Sequence, residues 1–369
     1  MKKRNIALVS LVPLAALAVG LTFRLTNETI PPARPLRSAP DTLSLVFIGD
    51  AMMHEEQIKK AFDHNTGEYS FDGYLSGIED IIKDADFCVA NAEFTLGGKP
   101  YSGYPAFSAP ESYPEYLSKM GVDLFLTANN HILDKGKAGL GRTLEEYARR
   151  GLRYTGSALS EEDDKDLNPL IVPVRGVRVA FVNVTYRTNV PDKGGYPKTH
   201  TLDTTDTGAL IDRAKAKGAD IIIALPHWGT EYALTHSSSQ ARMAKFFARR
   251  GCDAVVGTHP HVVQDTDTID GMSVTYSLGN IISNMSATDT QVGLITTLRI
   301  AVDKDRDARV LEPGYDFTWC ARPNATGSGY RTIRVRDHVN EKASWQTEND
   351  YRKMLSSYKR VKAATGIID

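Results

Sequence analysis

The segment Gly257-Thr258-His259-Pro260-His261 follows the apolar run Ala254-Val255-Val256 and sets two imidazoles on either side of one proline. In an extended segment, residues i and i+2 point to the same side. Proline also biases the residue before it toward extended geometry. The two rings are therefore expected to emerge together at a strand end and to grip one metal ion or two adjacent ones. Other apolar runs end in the same chemical style. Residues 43–48 lead into Asp50 and His54, and 87–90 into Asn91 and Glu93. Residues 122–128 lead into Asn130, His131 and Asp134, and 220–225 into His227, Trp228, Glu231 and Tyr232. Residues 273–278 end at Gly279-Asn280. Five of the nine histidines thus stand just past such runs. A set of imidazoles, carboxylates and an amide with no thiolate suits divalent metal ions, one or two of manganese, zinc or iron. Two ions about 3.5–4 Å apart would clamp a phosphoryl group and activate a water between them.

Stretches of strand length at 43–48, 87–90, 122–128, 177–184, 220–225, 253–256, 273–278 and 292–302 must position these residues. Helical spacing lies between them at 74–83, 143–150, 209–217 and 240–250. The alternation predicts an α/β fold with a largely parallel sheet. Open sheets of that kind bind ligands beyond the carboxyl ends of their strands, where the polar clusters fall. Tyr351, Met354, Leu355, Tyr358 and Val361 recur at helical spacing and predict a C-terminal helix packed on the domain.

The chain has 369 residues, 41% of them apolar, enough for a full hydrophobic core. Its formal charge of −1 provides no basic field to recruit nucleic acid. Cys88, Cys252 and Cys320 are too far apart for a zinc knuckle or a disulfide framework, and the first two are expected as buried thiols. His64, His200, His236 and His338 lie in polar stretches and are expected at the surface. Lys2, Lys3 and Arg4 precede an almost wholly apolar run at 6–23. This is a signal peptide, with Ala16-Leu17-Ala18 as a candidate cleavage site, or an uncleaved membrane anchor, the reading favoured here. The positive flank places the remainder outside the cell, on a single-pass anchor or secreted if the signal is cleaved. The expected organisation is an anchor at 1–26, a linker at 27–41 rich in proline, a main domain at 42–310, and an extension at 311–369 with its helix.

Six motifs occur in order: Gly49-Asp50-x-Met52-x-His54, Asn91-x-Glu93, Ala128-Asn129-Asn130-His131-x-x-Asp134-x-Gly136, His227-Trp228-Gly229-x-Glu231-Tyr232, Gly257-x-His259-Pro260-His261-Val262-x-Gln264, and Tyr276-Ser277-Leu278-Gly279-Asn280. Together with the loops at 101–105 and 185–189, they resemble the CapA/PgsA capsule-synthesis family, tied to poly-γ-glutamate production. That family is similar to the calcineurin-type metallophosphoesterases. The resemblance spans about residues 43–284. It implies a four-layer α-β-β-α sandwich of two packed sheets with helices outside. It also implies roles: Asp50, with His54 nearby and His261, holds one metal, Glu93 bridges, and Asn130, His227 and His259 hold the second. His131, oriented by Asp134, would donate a proton to the leaving group. The implied partners are an anionic polymer or phosphoester substrate, the membrane, and other membrane proteins of capsule synthesis. Two positions depart from ordinary phosphoesterases. Met52 stands where those enzymes place a histidine, and Glu93 stands in place of a bridging aspartate.

Three further residues are candidates for substrate binding. Arg187 would hold an anionic group. Trp228 and Tyr232 would line a groove or, alternatively, pack beneath the metal loop. Glu231 is suited to orient a metal-bound histidine from behind.

Overall fold

The computed structural model describes residues 42–303, 307–326 and 329–369. The expected anchor and linker at 1–41 lie outside the described residues. Among those described, no helix is long and apolar enough to cross a membrane.

Thr42–Met52 is the central strand of the first sheet, and its alternation explains its place. Leu43, Leu45 and Phe47 face the second sheet, whereas Val46 and Ile48 face the outer helices. Edge to edge, this sheet runs Arg331–Arg334, Gly314–Ala321, Val292–Val302, Thr42–Met52, Phe87–Glu93, Leu124–Leu126 and Arg153–Thr155. The last four strands are parallel, and the first three join them antiparallel. The second sheet runs Thr266–Ile269, Met272–Thr275, Ala254–Val256, Ile221–His227, Val177–Thr185 and Leu170–Val174. It is parallel in the middle and antiparallel at both edges.

Three apolar zones define four layers. Between the sheets, Phe47 and Val89 share a core with Val179, Ile221 and Ile223, and Phe87 stacks on Phe181 with ring centres 5.3 Å apart. Outside the first sheet, Ala90 and Phe125 share a core with Leu140, Leu144 and Tyr147 of the helix Gly136–Arg149. Outside the second, Ala180, Val182 and Ile222 share one with Leu210 and Ile211 of Thr204–Ala216 and Phe247 of Ser238–Arg249. Both of those helices begin at side-chain caps, Asp203 and Ser237.

Residues 311–369 are not a separate extension. Gly314–Ala321 and Arg331–Arg334 are strands of the first sheet, so a boundary at 310 cuts through its hydrogen bonding. The C-terminal helix Glu348–Thr365 buries Met354 and Val361 in the core between the sheets. It starts at the Thr347 cap and stops at Gly366, whose φ of 69° glycine adopts without steric cost.

His200 corrects a surface expectation, being only 2% exposed. Its Nε2 lies 2.5 Å from Asp164 Oδ1 and its Nδ1 2.9 Å from Asp206 Oδ2. Burial opposes its protonation, but the two carboxylates outweigh burial and raise its pKa. Those carboxylates are in turn held below their usual range, against the effect of burial, by His200 and by Lys198 nearby. A raised histidine pKa stabilises the fold below its ordinary value of about 6.5, and that contribution drains away as pH rises through the raised value. A His200→Gln protein should therefore lose on the order of 3 kcal/mol at pH about 6, and clearly less at pH about 9. Urea unfolding at the two pH values checks this; an equal loss at both would rule it out.

Candidate metal centre

The strand Thr42–Met52 does not run straight into the site. Its register against Phe87–Glu93 slips between Ile48 and Asp50, leaving Gly49 as the extra residue of a bulge that re-aims Asp50. Only glycine fits there, because a Cβ on residue 49 would collide with the carbonyl oxygen of Gly279. The neighbouring strand is buried along its whole length and ends at Glu93. Asp50 and Glu93 are both 0% exposed, and no lysine or arginine forms an ion pair with either among the described residues. Asn91 lies beside both: its amide nitrogen donates to Asp50 Oδ1 at 2.7 Å and lies 3.4 Å from Glu93 Oε2.

Three histidines face these carboxylates. His227 ends its strand with Nε2 2.8 Å from Asn130 Oδ1 and Nδ1 2.9 Å from Thr258 Oγ1. His261 Nδ1 lies 3.3 Å from Asp50 Oδ2 and 3.0 Å from Asn280 Oδ1, with Nε2 3.6 Å from Glu93 Oε1. The His259 ring stands 4.8 Å from that of His227 and 4.6 Å from that of Tyr186. Donor atoms gather within 4.8 Å of one another in three groups: Glu93, His227 and His259; Asp50, Glu93 and His261; and Glu231, His259 and His261.

The pair of histidines converges for a different reason from the one the tripeptide suggests. His259 has φ of 102° and His261 of 59°, so the segment is not extended. Each such left-handed residue costs about 1–3 kcal/mol and persists only where its surroundings enforce it. Here the His259 amide donates to Asp50 Oδ2 at 3.4 Å, and Pro260 accepts from the Tyr232 amide at 2.8 Å. Gly257 lets the loop leave its strand: a Cβ there would collide with the Tyr276 carbonyl oxygen and with Trp228 Nε1.

Burial, with help from Asp50 and Glu231, pushes the Glu93 carboxyl well above the usual range. Burial also holds His227 well below the normal histidine value, reinforced by His259 and His261. The same effect, with His261 and His131 adding to it, lowers His259 to about 3. For His261 burial opposes protonation, but Asp50 overrides it and raises the pKa. The neutral imidazoles of His227 and His259, with His261, stand beside buried carboxylates and form a donor set that a cation would satisfy. Glu93 Oε1 and His259 Nδ1 are buried without a hydrogen-bond partner among the described residues. Glu93 Oε1 stands 3.6 Å from His261 Nε2 and 3.9 Å from His227 Nε2. Two donors about 2.1 Å from a shared ion stand about 3–4 Å apart, so these residues fit a divalent metal.

His131 lies beside this cluster. Its Nδ1 is 2.7 Å from Asp134 Oδ2, which also accepts from the Phe107 amide at 2.8 Å. Phe107 packs edge-on against the imidazole at 4.7 Å. Asn129 clamps the loop by accepting from the His131 amide and donating to Ala92 O. Arg187 is exposed, with its guanidinium 5.2 Å from the Tyr186 ring centre and Nε donating to the Tyr186 hydroxyl at 3.2 Å. Tyr232 is 46% exposed, its ring 6.4 Å from that of His261.

Two residues fall elsewhere. Trp228 lines no groove: it is 1% exposed, packs on Phe247, and donates through Nε1 to Tyr276 O at 2.9 Å. Its place is the floor beneath the loop. His54 joins none of the three donor groups. Its Nδ1 lies 3.1 Å from Gln57 Oε1 and 3.3 Å from the Asn284 amide, and burial lowers its pKa to about 4. Sequence reasoning gave no role to Thr258 and Asn189 and read Asn280 as a turn residue. Asn189 sits with its amide nitrogen 3.4 Å from the His131 ring and its backbone amide donating to Asn130 O at 2.8 Å. For Asn91 the signal was available, an amide inside a wholly buried strand.

The fold and the cluster define a mixed α/β two-sheet protein with a carboxylate–imidazole site suited to divalent cations. The chain belongs to the family described as bacterial capsule synthesis protein PGA_cap, which matches residues 44–285. It is similar to the PGA biosynthesis protein CapA of Bacillus subtilis strain 168, at 29% identity over 68% of this chain and 66% of that one. It is also similar to the capsule biosynthesis protein CapA of Bacillus anthracis, at 27% identity over 79% of this chain and 72% of that one. Among solved structures, a 5'-nucleotidase precursor from Thermus thermophilus aligns with 88% of this chain and 59% of its own, with a TM-score of 0.47 at 15% identity.

Proposed function

We propose that this protein serves capsule or poly-γ-glutamate biosynthesis from the outer face of the cell membrane, through a metal-dependent phosphoesterase-like site. The observation that carries the reading is the pair of fully buried carboxylates, Asp50 and Glu93, facing three histidines with no lysine or arginine paired to them among the described residues. Burying uncompensated carboxylates is costly, and a divalent cation removes that cost. Asp50, Glu93 and His261 would hold one ion, and Glu93, Asn130, His227 and His259 a second. Bound there, the metal supplies Lewis-acid polarisation of a phosphoryl oxygen and an activated water. His131, with Nδ1 fixed by Asp134, presents Nε2 to protonate the leaving oxygen. Arg187 and Tyr232, exposed at the rim, bind the substrate's anionic groups. The apolar segment at 6–23 supports anchoring, which leaves the site facing outward beside the polymer and other capsule-synthesis proteins.

A second reading, a non-catalytic accessory protein that binds an anionic polymer during assembly or export, is favoured by Met52 and Glu93, which alter the donor set of an ordinary phosphoesterase. The full chain, supplied with manganese or zinc and a chromogenic phosphodiester, is expected to release the chromophore only with metal present. Metal binding without turnover would decide for the accessory reading.

A further inference from the structure

The site opens to solvent on the side of the loop that follows Ile221–His227. Glu231 on this loop is exposed, yet its carboxylate comes within 4.8 Å of donor nitrogens of both His259 and His261. The loop is held there rather than draped. Tyr232 adopts φ of 67° and its amide donates to Pro260 O at 2.8 Å, which ties the backbone beside Glu231 to the residue between the two histidines. Met52 is buried among apolar side chains. His54, the nearest substitute in sequence, turns its Nδ1 to Gln57 and the Asn284 amide and packs edge-on against Phe107 at 5.3 Å.

We propose that Glu231 is a direct metal ligand, closing the open side of the centre over His259 and His261. The inference rests on the metal reading above. Its consequence is chemical. With Glu231 the centre has three carboxylate donors, Asp50, Glu93 and Glu231, rather than two, which shifts its preference toward manganese or magnesium over zinc. A carboxylate on the exposed face also occupies a position that a substrate's anionic oxygen would otherwise take. An incoming glutamyl carboxylate or phosphate must therefore displace a group of its own kind.

Calorimetric titration of the full chain with manganese, joined to the electron paramagnetic resonance spectrum of the bound ion, tests this. Glu231→Gln keeps the size and the exposed position of the side chain and is expected to fold as the parent does. It should weaken manganese binding by at least about 10-fold and change the spectrum of the bound ion. His54→Gln should leave affinity within about twofold. Parent-like affinity and spectrum in Glu231→Gln, with tight binding by the parent chain, would overturn the assignment while leaving the metal reading intact. If the parent chain binds no manganese, zinc or iron, the metal reading itself falls and this inference with it. A loss on His54→Gln larger than that on Glu231→Gln would hand the position to His54.

Discussion

A His259→Ala protein should lose at least about 100-fold in affinity for manganese, the upper end of what removal of an outer-shell partner alone costs. The reason is geometric. His259 belongs to two of the three donor groups, and its buried Nδ1 has no hydrogen-bond partner among the described residues, so that nitrogen is left to serve as a donor. Ligand that binds only the native state stabilises it by about 2.7 kcal/mol at 100 times its dissociation constant. Manganese should therefore raise the melting temperature of the parent chain and leave that of His259→Ala unmoved. His259→Gly separates stability from binding. It relieves the backbone at φ of 102° and should leave the metal-free protein about 1 kcal/mol more stable than His259→Ala, while metal binding is lost just the same. Retention of full metal content by His259→Ala after dialysis would refute the ligand assignment.

The second large effect concerns turnover. His131→Ala should reduce kcat on a phosphodiester by about 10²- to 10⁴-fold, the usual range for losing a positioned proton donor. Metal affinity should stay close to that of the parent, because His131 contributes to none of the donor groups. Its imidazole is held at Nδ1 by Asp134 and against Phe107, an arrangement that fixes one tautomer and leaves Nε2 to act. Asp134→Asn should also slow turnover, since an amide can present its NH2 to Nδ1 and favour the other tautomer. Steady-state rates with manganese saturating measure both. Undiminished turnover in His131→Ala would remove this residue from the chemistry, and a matching loss of metal would make it a ligand.

Some of this was legible early because strands and helices announce themselves by period. Val292–Val302 and the helix Glu348–Thr365 follow from apolar spacing alone. Gly314–Ala321 and Arg331–Arg334 did not, because residues such as Asp316 and Arg334 interrupt their apolar pattern toward the edge of the sheet. His200 looked like a surface residue because its neighbours in sequence are polar. The carboxylate at Nε2, Asp164, lies 36 residues away and meets it only in the fold.

The chain's linear order settled the kinds of donor and their places at strand ends, since a parallel arrangement delivers successive carboxyl ends to one edge whatever the loops do. Asp50, Glu93, Asn130, His227, His259 and His261 were all expected at such ends, and the fold brings them close to one another. Which of them share a donor group was decided by contacts between distant segments. The bulge at Gly49 turns Asp50 inward because Gly279 presses against it. The left-handed backbone at His259 and His261 exists because Asp50 and Tyr232 pin the loop. The same packing buries Trp228 and His200, directs His54 toward Gln57 and Asn284, and brings Glu231 over the open face. Local preference sets periodicity and turn chemistry, but side-chain direction at a site depends on close contacts made only once both sheets have packed together.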